Sequence, residues 1–78
     1  MAQRLLVIED EPTLARLLSY NLTQEGYEVT VEDHGTAGYD RAVREPFDLI
    51  VLDLMLPGMN GIDILDKLRG QGIRTPVI

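Results

Sequence analysis

The chain has 78 residues, enough for one small domain and no more. Thirteen acidic against seven basic residues give a formal charge of −6, which repels phosphate backbones and argues against nucleic-acid binding by this stretch. Zero cysteines exclude disulfides, thiolate metal sites and cysteine nucleophiles, and a single histidine, His34, leaves no His-rich metal cluster and no ordinary Ser-His-Asp hydrolase.

Leu5-Leu6-Val7-Ile8 is a continuous apolar run, suited to a strand covered on both faces of a parallel sheet. It ends in three acids, Glu9-Asp10-Glu11, followed by Pro12, a residue favoured at the first position of a helix. Leu14, Leu17, Leu18 and Leu22 then recur at helical spacing, and Gly26 stands where the helix should end. Glu28 to Glu32 alternates polar and apolar, as a less buried edge strand does. Thr36 to Arg44 reads as a second helix, weakened by about 1 kcal/mol because Gly38 lies inside it. His34 precedes it as a surface residue at the helix start. Leu49-Ile50-Val51-Leu52 repeats the doubly apolar strand and again ends in an acid, Asp53. Asn60 is a plausible N-cap for a third helix carrying Ile62, Leu65 and Leu68 and closed by Gly70 and Gly72. Thr75-Pro76-Val77-Ile78 begins a fourth strand. The pattern βαβαβαβ predicts an α/β fold, an open parallel sheet with helices on both faces.

In such sheets ligands bind outside the carboxyl ends of the strands. Glu9 and Asp10 end the first strand and Asp53 ends the third, so neighbouring strands bring three carboxylates together. Bare carboxylates that close repel, and a hard divalent cation removes the conflict. Oxygen donors without Cys or His favour Mg²⁺ or Mn²⁺ over zinc. A blander reading has the acids merely charging a helix N-terminus. It accounts for Glu11 well and for Asp53 poorly, because Asp53 follows a buried strand and precedes three apolar residues.

Leu6 to Glu11, together with Asp48-Leu49-Ile50-Val51-Leu52-Asp53-Leu54-Met55-Leu56-Pro57-Gly58-Met59-Asn60-Gly61, resembles the receiver domain of two-component response regulators. The resemblance implies a flavodoxin-like sheet with strand order 2-1-3-4 and a phospho-acceptor module rather than an enzyme. Asp53 matches the residue that takes the phosphoryl group from a histidine kinase. Asp10 matches the acid that ligates Mg²⁺ directly, Glu9 its neighbour acting through water, and Met55 the residue that offers a backbone carbonyl. Residues 1–78 would be a partial receiver, about its first two-thirds, lacking the end of strand 4, helix 4, strand 5 and helix 5. The hydroxyl and the lysine that contact the phosphoryl group in the family lie in that remainder. The fragment is therefore expected to be impaired in phosphorylation, the alternative being an inactive folding or assembly piece. The motif most resembles receivers joined to a winged-helix domain, so DNA would be reached only through a missing effector domain.

Other signals are weaker. An aspartyl-phosphate phosphohydrolase would resemble its family in a second Asp at the position of Met55, and a flavodoxin in a Ser/Thr-rich loop at Glu9 to Pro12. Gly58 and Gly61 do not have dinucleotide-binding spacing and serve a turn. Asn21-Leu22-Thr23 matches a glycosylation sequon on a helix. Tyr20, Tyr27 and Tyr39 read as packing residues. No run of 18 apolar residues could span a membrane, and the four apolar residues after Met1-Ala2-Gln3-Arg4 are too few for a signal peptide, so a cytoplasmic location is expected. Uncovered sheet faces and an open strand edge predict a homodimer or larger homo-oligomer.

Overall fold

The structure, a computed structural model, describes residues 2–78, so Met1 lies outside the described residues. The elements run β1 (Arg4–Ile8), α1 (Pro12–Gln24), β2 (Glu28–Glu32), α2 (Gly35–Arg44), β3 (Leu49–Leu52) and α3 (Gly61–Gly70). Both β2 and β3 pair in parallel with β1, giving the order β2-β1-β3. The fourth strand begins where the sequence places it. Val77 bridges Ile50 in parallel on the outer side of β3, held by Ile50 N–H to Pro76 O at 2.9 Å, Ile78 N–H to Ile50 O at 3.0 Å and Leu52 N–H to Ile78 O at 2.9 Å.

β1 is the hub because its side chains are apolar on both faces. Leu6 and Ile8 enter a core with Ile50, Phe47, Ala42 of α2, and Ile64 and Leu68 of α3. Leu5 and Val7, buried on the opposite face by the two-residue alternation, lie on the side where α1 packs and buries Ala15. Helices therefore cover both faces, as expected. β3 is less enclosed than its apolar run suggests. Only Ile50 is buried: α1 lies against β1 and β2 and leaves the face with Leu49 and Val51 open, while Leu52, on the Ile50 face, packs half-buried against the core.

Four details depart from the sequence reading. Leu14 and Leu17 share the apolar stripe of α1 but are 42% and 54% exposed, since only one flank of α1 meets the sheet; Leu18 and Leu22 are half-buried. Tyr20 lies on the same open flank at 62% exposure and is not a packing residue. In α3 the buried residues are Gly61, Ile64 and Leu68, and Ile62 is 54% exposed. Gly38 does not simply weaken α2. A Cβ there would lie 2.7–2.9 Å from three atoms of the Ile8 side chain, so glycine lets the helix sit directly on β1.

The helix ends follow the sequence closely. Pro12 opens α1 behind Glu11, whose carboxylate accepts Thr13 N–H at 3.3 Å and Leu14 N–H at 2.7 Å. Asn60 caps α3 by accepting Asp63 N–H at 2.9 Å. His34 is the N-cap residue of α2, exposed as expected.

Candidate functional site

The ladders around β1 each run one rung past the strands. Glu9 N–H donates to Glu32 O at 3.0 Å, and Asp53 N–H donates to Ile8 O at 3.0 Å. Glu9 and Asp53 are thus fixed by backbone on either side of the end of β1. The expected convergence occurs: Glu9, Asp10 and Asp53 each offer a carboxylate oxygen, and all three oxygens lie within 4.8 Å of one another. Glu11 stands apart from this group, because its carboxylate is occupied in capping α1.

The three acids differ in depth. Glu9 is 8% exposed, Asp53 half-buried and Asp10 exposed. Burial, above all, pushes the Glu9 carboxyl above its ordinary range, and the charges of Asp53 and Asp10 push it the same way. Opposing them, Glu11 N–H donates to Glu9 Oε2 at 3.0 Å. A carboxylate held under these conditions favours any nearby cation that relieves the repulsion. The donor set is oxygen only, two carboxylates have open faces, and the site sits at the rim, so these residues fit a hard divalent ion that keeps several waters.

Beyond Asp53 the chain makes a short, well-tied loop. Met55 N–H donates to Asp53 Oδ1 at 3.3 Å, while Met55 itself is 84% exposed. Leu54 O accepts Gly61 N–H at 2.9 Å, and Pro57 O accepts Gly35 N–H at 2.8 Å. The second of these ties joins the loop to α2. Sequence reasoning missed it, because no pairwise pattern links positions 35 and 57; only the glycine at each contact hints at close approach. The depth of Glu9 was equally illegible, since a carboxylate after an apolar strand carries no mark of its own burial.

A family model for the response regulator receiver domain matches residues 5–78. The chain belongs to the response regulator receiver family. Among curated relatives, this receiver is 47% identical over 74 residues to response regulator ArlR of Staphylococcus epidermidis, covering 95% of the chain and 33% of the relative. It is 45% identical to the uncharacterized transcriptional regulatory protein YkoG of Bacillus subtilis, covering 95% and 32%. The receiver therefore spans about a third of the length of these curated relatives. Among solved structures, the Francisella response regulator 1452 receiver domain superposes with a TM-score of 0.93 at 32% identity, over 96% of this chain and 62% of that one. Response regulator TrrA of Thermotoga maritima, solved with Mg²⁺-BeF, gives 0.84 at 32% identity over 88% and 60%. The receiver domain of sensor histidine kinase PA1611 of Pseudomonas aeruginosa, solved with magnesium in its active-site cleft, gives 0.92 at 29% identity over 99% and 65%.

Proposed function

We propose that this receiver takes a phosphoryl group from the phosphohistidine of a sensor kinase onto Asp53, and acts as a phospho-acceptor in signalling rather than as a turnover enzyme. The observation that carries the reading is the meeting of Glu9, Asp10 and Asp53 at one rim of the sheet, in a family whose solved members include magnesium-bound sites. A carboxylate oxygen of Asp53 forms a bond to phosphorus as the P–N bond to the donor imidazole breaks. The nucleophile is a carboxylate, which needs no base to activate it, so the chain's work is to position it. The Asp53–Ile8 rung and the Met55 N–H on Oδ1 hold the Asp53 carboxylate in place at the rim. Asp10 would hold Mg²⁺ directly, or Mn²⁺ by the same preference for hard oxygen donors. Glu9 would reach it through water, and Asp53 and the Met55 carbonyl would complete the protein ligands. When bound, the ion supplies positive charge that offsets repulsion between an anionic nucleophile and an anionic donor.

Among the described residues no helix is long and apolar enough to cross a membrane, which is compatible with a cytoplasmic setting for such a relay. DNA would be reached through an effector region of the kind that gives the relatives their greater length. As these 78 residues alone, the receiver should be phosphorylated slowly, because the hydroxyl and the lysine that the family places after strands 4 and 5 match none of them. It should also self-associate through the open edge of residues 76–78, which pair with the outer side of β3. The test of the central reading is Mg²⁺-dependent phosphorylation by acetyl phosphate, followed by intact mass. A slow gain of one phosphoryl group, abolished by Asp53→Asn and by chelation, is expected. Phosphorylation that persists in Asp53→Asn removes Asp53 from its role.

A further inference from the structure

The loop that follows Asp53 is anchored at its far end to α2, an element that contributes none of the acids. Gly35, the buried first residue of α2, donates its N–H to Pro57 O at 2.8 Å. A Cβ on Gly35 would stand 2.7 Å from the carbonyl carbon of Met59 and 2.8 Å from its nitrogen. Those are backbone atoms, which cannot swing aside as the tip of a side chain can. Gly58, between the two loop residues involved, has φ +84°, and a Cβ there would lie 2.6 Å from His34 Nδ1 and 2.8 Å from Thr36 Oγ1. The first turn of α2 and residues 57–59 are thus seated against each other along a seam that only glycines permit. At its near end the same loop is held by Asp53 N–H on Ile8 O and by Gly61 N–H on Leu54 O. Met55 lies between the two sets of ties.

We propose that Gly35 is a positioning residue for the metal site: by admitting the Pro57–Met59 backbone against the start of α2, it fixes the conformation of the segment that carries the Met55 carbonyl. The inference rests on the metal reading given above. A loop tied at both ends has few conformations left to lose when an ion binds its backbone. A loop freed at one end must be ordered at the moment of binding, which weakens affinity. Gly38 supplies the control. It sits one turn further along the same helix, and its close contact is with the Ile8 side chain rather than with the loop.

The experiment is Mg²⁺ titration of the unsubstituted protein, Gly35→Ala and Gly38→Ala, read from the amide chemical shifts of Asp53 and Met55, with thermal unfolding of each alongside. The expected result is that both variants melt lower, but only Gly35→Ala loses Mg²⁺ affinity, by at least fivefold, while Gly38→Ala stays within twofold. Coupling between two sites is reciprocal, so saturating Mg²⁺ should also slow hydrogen exchange at the Gly35 amide of the unsubstituted protein by a similar factor. That measurement decides the matter if Gly35→Ala does not fold. Affinity within twofold in Gly35→Ala, equal losses in both variants, or unchanged exchange at Gly35 overturns the inference while leaving the metal reading in place. No Mg²⁺ response in the unsubstituted protein overturns both.

Discussion

Glu9 is the most constrained of the three acids, and its burial gives it a distinct pH signature. Its carboxyl is raised above the ordinary 4.5, so without metal the folded state binds a proton more readily than the unfolded chain. Its contribution is therefore fully favourable below that ordinary value and is lost as pH rises through the raised one. Glu45 has the opposite sign. The Arg4 guanidinium, 2.7 Å away, holds it below the ordinary range, so its contribution is present above 4.5 and lost in stronger acid. Glu9→Gln keeps an oxygen for the Glu11 N–H and removes one of three crowded charges. We expect it to stabilise the metal-free protein at pH 7 by about 1 kcal/mol, the water-like limit for two charges about 4 Å apart. The gap should close as pH falls toward 4.5, as thermal unfolding across pH will show. The acids themselves were legible in the sequence because each one interrupts an apolar run. Their rank in depth was not, since it depends on which carboxylate the end of β1 turns inward.

At the scale of elements, strands and helix ends could be read almost to the residue, because apolar runs, Pro12, Asn60 and the capping glycines act locally. Which face of a helix is covered could not. Leu14 and Leu17 sit on a regular stripe, yet the covering depends on how far α1 overhangs the sheet. Gly38 shows the same limit in reverse. Judged by helix propensity, Gly38→Ala should gain about 1 kcal/mol. The added methyl would press on Ile8, which is fully buried, and overpacking of this kind costs about 1–3 kcal/mol. We expect the packing cost to win, with a net loss of about 1 kcal/mol in urea unfolding. Adding Ile8→Val, which removes the Cδ1 atom 2.8 Å from that methyl, should recover part of the loss in a double-mutant cycle. Removing the α3 cap with Asn60→Ala should cost about 1 kcal/mol by the same assay.

The whole molecule is close-knit for its length: the radius of gyration is 11.6 Å, against about 11.5 Å for a compact chain of this size. Its weakness is at the flank. Val77 pairs with Ile50 through the carbonyl of Pro76 and both backbone groups of Ile78, so its own N–H and C=O face outward, and Ile78 is 74% exposed. Such an edge recruits another strand. Light scattering at tens of micromolar should therefore report a mass above the 8.7 kDa of one chain. Val77→Pro removes the outward donor without touching the bonds to β3, and should return the mass toward the monomer. A monomeric mass for the unsubstituted protein would end the assembly proposal. β1, finally, is central in the sheet but first in the chain. At a synthesis rate of roughly 5–20 residues per second, it can meet β2 once Glu32 has emerged, but β3 only about one to four seconds later, at Leu52. Through that interval an apolar strand has one bare edge in a nascent polypeptide. The acidic rim, which needs Asp53, cannot assemble before β3 is made, and the chain with that bare edge is the form a chaperone would meet.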